Sequence, residues 1–578
     1  MIQIRCKNVN TTKSFPEGVS LLDVWQAFAD EVRLPYPVVS AKVNNVAQGL
    51  KYRLYQNRDV EFLDAREGAG YRAYVRSLCF VLYKATQDIF PGSKLFVEHS
   101  LCRGFYCNFK KKPSTSSSQK DSNALSDADV ALLRQRMQEI IALDMPFRRT
   151  ETTTEEVIRI LSERGFADKV KLLETSGQIY SDYYSLGDTI DYYYGPLVPS
   201  AGYLKVWDLE RYEGRSQDGE QSSGIGLLLR VPDWNDPSRL AEKVAQPKTF
   251  EMFAEKTRWD IIMRLSNAGD VNKAIMRGHA SELIQVSEAL QEKKIVEIAE
   301  EIDLRFHRKE NPVRIVLITG PSSSGKTTFC KRLSVQLLAC GLRPLSFSTD
   351  DYFVNRTDTP KLPNGDYDFD NIETVEYSLL EDHLLRLMKG ERVEVPEYNF
   401  VTGKREWNGK KLKLGGDTVL IIEGIHALNP LLTKKIDDTM KFKIYVSALT
   451  SVSLDDHNWI PTVDNRLLRR IIRDYNKGAF TAQETISQWK NVCMAEDQWI
   501  APFQESADAM FNSALNIEFA VLRTHAEIIL ASVPRNCPEY AEAHRLLKFI
   551  HYFLPVSDKE IPPTSIMREF VGGSSFKY

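Results

Sequence analysis

Hydrophobic and polar positions change rhythm three times along the chain. Residues 1 to about 65 alternate short strand-like runs, "MIQIRC", "PVVSAKV" and "DVEFL", with one stretch, "SLLDVWQAFADEV", whose apolar residues recur at helical spacing. This predicts a compact α+β module, one helix on a small sheet. A second segment runs from 66 to about 232 and is broken by two polar stretches, "KKKPSTSSSQKDSN" and "EGRSQDGEQSSG", which predict solvated loops. From 233 to 310 the pattern is helical. There "ASELIQVSEALQEKKIVEIAEEIDLRFHRK" places apolar residues three and four apart, as in a connector packed on the domain that follows. From 311 to 578 the runs "RIVLIT", "RPLSFS", "VLIIEG" and "FKIYVSA" alternate with helical stretches. They predict a parallel α/β sheet with ligands at the carboxyl ends of its strands.

The first of these strands ends in "GPSSSGKTT". Gly320 and Gly325 permit a tight turn, and the small Ser322, Ser323 and Ser324 let backbone N–H groups curl around an anion. Lys326 is placed to reach outer phosphates and the Thr327 hydroxyl to hold Mg²⁺, with Thr328 next in the same turn. Phe329, Leu333, Val335 and Leu337 then predict a helix stopped near Gly341, whose N-terminal dipole faces the same phosphate. At average composition this spacing arises by chance in roughly two of every hundred chains of this length, so the flanking strand and helix carry the reading. Acidic residues stand at two further strand ends, Asp350 and Asp351 after "PLSFS" and Glu423 after "VLII". Phosphoryl transfer needs carboxylates there for metal charge and for the acceptor's proton. Further on, "DNRLLRRIIRDYNKG" sets Arg466, Arg470 and Arg473 on one helical face, where guanidinium groups can meet the charge of a transferring phosphoryl.

Composition acts mainly by exclusion. With 578 residues, 26% of them charged, and a formal net charge of −3, the chain has the make-up of globular domains and no global attraction for nucleic acid. Lys110, Lys111 and Lys112 read as part of a solvated loop. Eight cysteines are scattered without zinc spacing, so free thiols in a reducing cytoplasm are expected. The N-terminus is polar where a signal peptide needs an apolar core, and no apolar run reaches membrane-spanning length, so no membrane association is expected.

The motifs "GPSSSGKTT", "STDDYF", "YDFD", "VPEYNFVTG", "LIIEGIHAL" and "RRIIRD" follow one another as they do in the uridine kinase and phosphoribulokinase family of P-loop kinases, which the chain resembles from about 311 to 530. The resemblance implies an ATP- and Mg²⁺-dependent kinase acting on the 5′-hydroxyl of a nucleoside. On it, Asp350 matches the carboxylate that accepts the hydroxyl proton, while Lys326, Arg470 and Arg473 match groups around the phosphates and the lid. Thr327 and Glu423, with Asp350 beside them, match positions at the magnesium. Asp368 best matches the carboxylate that holds the ribose hydroxyls, with Asp370 the alternative; Tyr398 matches a nucleoside-contacting tyrosine and Gln488 a substrate position. Two departures concern the base. Gly403 stands where uridine kinases carry a histidine that reads the pyrimidine edge, and Ala479 where a lid arginine is expected. Gly403 is expected to open volume beside Tyr398 and to weaken pyrimidine selectivity, bringing purines such as inosine or guanosine into range. The alternative acceptor, a sugar phosphate, would need extra basic groups where Tyr398 and Phe400 offer aromatic surface.

As a whole, the chain resembles long bacterial nucleoside kinases with a synthetase-like N-terminal half. Residues 1 to 65 look like the ubiquitin-like β-grasp TGS module of threonyl-tRNA synthetase, and residues 66 to 232 look like that enzyme's second, tRNA-editing domain, on "FVEHSLCRGFYCNF" and "DYYYGPLVPSAG". The editing reaction uses an H-x-x-x-H pair and a C-x-G-P-H pair, which fall here on Arg76 and Phe80 and on Tyr193 and Leu197. The frame is therefore expected without the hydrolysis or its zinc. An RNA-binding regulator whose kinase half serves as a nucleotide switch is the reading from another class. The acidity of the chain and the want of a long basic, aromatic-laced stripe weigh against it. Nucleic acid stays open as a partner of the first half. A homo-oligomer stays open too, since the tail "SIMREFVGGSSFKY" reads equally as a turn over the active site and as a contact with a second subunit.

Overall fold

The alternation of the first 65 residues resolves into a five-stranded sheet in the computed structural model, which describes residues 1–112, 125–214, 225–362, 365–450 and 452–577. Most of the two polar stretches expected as solvated loops lies outside the described residues. The strands are β1 (Ile2–Cys6), β2 (Thr11–Phe15), β3 (Ser40–Val43), β4 (Val46–Gln48) and β5 (Arg58–Leu63), in the order β2-β1-β5-β3-β4. Ile2, Ile4 and Cys6 turn inward while Gln3 and Arg5 face out, the period of two that one buried sheet face demands. Helix α1 (Leu21–Phe28) starts on a capping box, Ser20 accepting from Asp23 N and Asp23 answering at Ser20 N, and it buries Leu21, Val24 and Phe28 on the sheet.

The next segment contains α2 (Gly68–Ile89), β6 (Lys94–Leu101), β7 (Gly104–Lys110), α3 (Asp127–Ala142), β8 (Phe147–Thr153), α4 (Ala167–Ser176), β9 (Tyr180–Leu186), β10 (Thr189–Asp191), β11 (Asp208–Glu213) and β12 (Ile225–Arg230). They form a four-stranded sheet, β11-β12-β7-β6, and a three-stranded one, β8-β9-β10. Of the four positions that the editing resemblance singles out, Phe80 and Tyr193 are buried ring against ring, centroids 5.5 Å apart.

Two compact units emerge, interleaved in sequence. The first comprises Met1–Gly278, Thr450–Pro461 and Glu527–Pro555; the second comprises His279–Leu449, Thr462–Ala526 and Val556–Tyr578. The 450–461 segment belongs to the first unit because its charges are answered there. Lys169 on α4, fully buried, places its ammonium 2.7 Å from Asp455 and 3.2 Å from Asp191. His457 Nδ1 lies 2.7 Å from Asp191, and the Asn458 amide donates to Asp455. Although burial pushes Asp191 up, His457 and Lys169 outweigh it and hold that carboxyl down at about 2.

The second unit is a five-stranded, all-parallel sheet. Its elements in chain order are α5 (Ala280–Phe306), β13 (Ile315–Thr319), α6 (Lys326–Ala339), β14 (Arg343–Ser348), the hairpin β15 (Glu397–Asn399) and β16 (Lys404–Glu406), β17 (Thr418–Glu423), β18 (Lys441–Ser447), α7 (Thr462–Asn476), α8 (Ala482–Trp499) and β19 (Ala509–Asn512). The sheet order is β14-β17-β13-β18-β19. Central β13 is buried at every residue, as a strand covered on both faces must be. Val316 and Ile318 join Ile295, Ile302, Phe329 and Leu333 on one face, while Ile315 and Leu317 join Leu380, Leu384 and Leu387 on the other. The stretch expected as a connector thus supplies, through α5, one wall of this core.

Removing the Lys169 charge leaves several buried carboxylates uncompensated. Lys169→Met should lower the stability of the first unit by about 3–5 kcal/mol, read as an earlier denaturant midpoint in its unfolding transition. Asp191 adds a pH signature. Its folded value lies below its unfolded one, so its contribution is present above pH ~4 and is lost as pH falls toward about 2.

Candidate active site

Strands β14, β17 and β13 lie side by side and parallel, so their carboxyl ends meet at one rim. From β13 comes the glycine-serine loop. Gly325, at φ 86°, adopts a left-handed conformation, and a Cβ there would stand 2.4 Å from Ile566 Cγ2, so only glycine fits. Helix α6 begins at the next residue, Lys326, which aims the amides of its first turn at the loop mouth. From β14 comes Asp350, whose backbone N–H is capped by the Ser348 hydroxyl at 3.2 Å. From β17 comes Glu423, its last residue.

These charges are crowded in a dry place. Burial pushes Asp350 up to about 6, with Lys326 opposing and Asp351 and Asp370 adding to the shift. Burial likewise pushes Glu423 up to about 7, Asp350 adding to it and Lys326 opposing. The Lys326 ammonium is itself pulled below the ordinary lysine range by burial, against Glu423, Asp350 and Glu569. It donates to Pro321 O at 3.2 Å.

Helix α7 holds the loop from behind. Arg466 donates to Ser322 O at 3.2 Å and pairs with Glu496 at 2.6 Å. Arg469, fully buried, donates to Ser323 O at 3.3 Å and to the Ser513 hydroxyl at 2.9 Å while pairing with both oxygens of Glu518. Arg470 reaches the Ser322 hydroxyl at 3.2 Å, and Arg473 is bonded to Asp474 at 2.9 Å. Beside them the Trp489 ring lies 5.5 Å from the Arg466 guanidinium and 6.0 Å from that of Arg470.

The acceptor side is aromatic. Tyr398 on β15 packs edge-on against Phe353 and Phe400, at 5.6 and 5.1 Å, and its N–H donates to Asp351 at 3.4 Å. The volume expected at Gly403 is not open. Gly403 turns the β15–β16 hairpin at φ 66°, and a Cβ there would stand 2.9 Å from Arg356 Cβ and Nε. Arg356 fills that space and donates to Phe400 O at 2.6 Å.

Most of the expected site residues converge here, with exceptions. Asp370, rather than Asp368, acts electrostatically on Asp350, while Asp368 accepts from its neighbour Asn371 at 3.1 Å. Gln488 is exposed on α8, and it is the adjacent Trp489 that packs under the arginines. Two further residues take part. Arg469, three residues after Arg466 and four before Arg473, borders the same helical face and was not singled out there, and Glu569, far along the chain, accepts from the Thr328 hydroxyl at 2.6 Å and its N–H at 3.3 Å. His426, also buried, is held neutral by burial down to about 4.

A family model described as Phosphoribulokinase / Uridine kinase family matches residues 315–518. A uridine kinase of Mycoplasma genitalium is 30% identical over 178 residues, 31% of this chain and 74% of that protein. The chain belongs to the phosphoribulokinase/uridine kinase family. A uridine kinase of Ureaplasma parvum is 25% identical over 195 residues, 34% of this chain and 85% of that protein. On the N-terminal half the similarity is to threonine–tRNA ligases. That of Marinobacter nauticus is 28% identical over 213 residues, 36% of this chain and 31% of the ligase. The chain thus spans about a third of the length of the ligases it matches.

Kinases of this family use ATP with Mg²⁺, and membership supports an ATP-dependent kinase. The donor set suits that ion. Asp350 and Glu423 are hard oxygen donors whose proton affinity burial raises, Asp350 adding to the rise at Glu423, and Thr327 is the second residue of α6. Among the described residues no group of three or more His, Cys, Asp or Glu is gathered as a metal cage. Magnesium keeps its waters and takes one or two carboxylates plus phosphate oxygens, a part that Asp350 and Glu423 could fill.

Since Arg469 and Glu518 satisfy each other out of water, Arg469→Met should destabilise the second unit by about 3–5 kcal/mol and weaken nucleotide binding. Thermal unfolding with and without ATP checks it; a variant with unchanged melting temperature and unchanged ATP-induced stabilisation would refute the role.

Proposed function

We propose that the second unit transfers the γ-phosphoryl group of ATP to the 5′-hydroxyl of a nucleoside. The observation that carries this reading is the convergence of the glycine-serine loop, Asp350 and the Tyr398–Phe353–Phe400 wall at one rim of the sheet. Amides of the loop and of the first turn of α6, with Lys326, bind the phosphates. Thr327 and Glu423, with Asp350 alongside, hold magnesium, which supplies positive charge against the phosphate oxygens. Asp350 accepts the hydroxyl proton as that oxygen bonds to the γ-phosphorus and the bond to the departing ADP oxygen breaks. Arg470 and Arg473 meet charge on the transferring group. Asp370, with Asp368 as its neighbour, receives the ribose hydroxyls, and the aromatic wall takes the base.

In the same reading the first 65 residues are a TGS-like β-grasp module and residues 66–232 an editing-like domain without its reaction. Arg76, Phe80, Tyr193 and Leu197 supply neither a metal ligand nor a proton carrier of the kind that hydrolysis needs.

Lys326→Ala and Asp350→Asn should each lower nucleoside phosphorylation about a hundredfold or more while leaving the melting curve near wild type. A near wild-type turnover in Asp350→Asn would pass the proton-accepting role to Asp351. Base selectivity rests on the missing side chain at Gly403 alone, since Arg356 fills the adjacent volume. With no imidazole to be left unpaired, at least one purine nucleoside should be phosphorylated within about a hundredfold of uridine's kcat/KM. Competition among uridine, cytidine, inosine, guanosine and adenosine reads this directly. A strict pyrimidine preference that relaxes in Arg356→Ala would instead assign the reading of the base to that arginine.

A further inference from the structure

A cavity of about 810 Å³ lies wholly within the first unit, outside the proposed kinase chemistry. Its walls come from the β4 end of the first sheet, α2, β8, β9, the 194–199 stretch and α9 (Tyr540–Ile550). Eight lysine and arginine side chains line it, against two carboxylates, Glu151 and Asp182. Both carboxylates are already engaged. Asp182 accepts from Arg149 Nε at 2.6 Å, and Glu151 lies 3.6 Å from the same guanidinium. Among the described residues, Lys51, Arg76, Arg148 and Lys548 have no carboxylate within ion-pair distance, and all four line the cavity.

Arg76 is the centre of this arrangement. It is 5% exposed, its guanidinium lies 4.5 Å from the centroid of the Tyr194 ring, and it is seated against Gly195, where a Cβ would come within 2.2 Å of its Nη1. A buried guanidinium with a ring beneath it and a glycine cut to its shape, but no counter-charge, is costly unless an anion completes it. The surrounding cations add to that cost. Burial pulls Lys548 below the ordinary lysine range, Arg149 and Arg76 pushing the same way and Asp182 opposing. Lys51 is lowered by burial, with Arg148 adding to it.

The geometry points to an anion site: this cavity takes a compact polyphosphate, its phosphate groups on Arg76, Arg148 and Lys548 and, where the ligand is a nucleotide, its base against Tyr52. Several uncompensated cations in one small cavity call for several negative charges in one small molecule, and a terminal phosphate group brings about 1.5 to 2 of them. The volume is that of a small-molecule site. The chain's formal net charge of −3 leaves the positive charge local to this hollow, with no overall excess to track an RNA backbone. Tyr52, 38% exposed at the lining, offers the flat face on which a base stacks.

Calorimetric titration of tripolyphosphate into the full chain carrying Lys326→Ala tests this with the loop lysine removed. One saturable site is expected, weakened at least tenfold by Arg148→Ser, an exposed position whose change leaves folding intact, and by Arg76→Met. Each variant is checked for a wild-type melting temperature without ligand. If tripolyphosphate does not saturate a site, or if Arg148→Ser and a folded Arg76→Met bind it as the parent does, the anion site is wrong. Salt-sensitive tRNA binding that both variants lose, in the absence of any tripolyphosphate binding, would also overturn it and assign the cavity to RNA.

Discussion

A loop that turns backbone N–H groups toward an anion keeps few hydrogen bonds of its own, chiefly those of Ser324 N–H and Lys326 to Pro321 O, so it has to be fixed from behind. Arg469 does this. Fully buried, it divides its guanidinium among Glu518, Ser513 and the Ser323 carbonyl, while Ser513 in turn donates to Ser324 O at 2.5 Å. Arg466 grips Ser322 O from the same helix. Desolvated charge pairs of this kind add little net stability, but losing one partner is expensive, and that makes them good at enforcing one geometry. The position of α7, the end of β19 and the glycine-serine loop are thereby fixed by one side chain.

With the loop held, the rest of the rim is an exercise in crowding like charges. Asp350 and Glu423 are brought together because the parallel sheet sets β14, β17 and β13 side by side, and burial makes each ionised form costly. Lys326 offsets part of this. Glu569 adds a further carboxylate by capping α6 at Thr328, close to where phosphate groups are expected. A site so balanced has strong affinity for added positive charge, consistent with a family that uses ATP with Mg²⁺.

The first unit solves a similar problem with the signs reversed. Lys169 is enclosed by Asp191 and Asp455, a closed and satisfied network that keeps residues 450–461 in the unit. Arg76, on the neighbouring α2, has a ring and a glycine but no carboxylate partner among the described residues. The first is a device of structure, and the second is open to a ligand. Of the positions that the editing resemblance singles out, Phe80 and Tyr193 pack their rings together in the core while Arg76 and Leu197 line the cavity.

What could be read directly from the chain was local. The run from Ile315 to Thr319, the spacing of Gly320, Gly325 and Lys326, the strand ends at Asp350 and Glu423 and the helical rhythm of Arg466 and Arg470 all lie within short windows, where period and motif determine conformation. The order of motifs carried the family. The remaining features depend on pairs that no window contains. Arg469 meets Glu518 across 49 residues, Thr328 meets Glu569 across 241, and Lys169 meets Asp455 across 286. Gly403 looked like empty space because Arg356 lies in another loop. Likewise Asp370 and Asp368, two residues apart in one motif, differ in surroundings, Asp370 being the one that Arg470 and Lys326 act upon. Hydrophobic period and turn chemistry are properties of neighbours in sequence, and so the chain alone determined them. Charge compensation is a property of neighbours in space, and only the packed tertiary structure decided it.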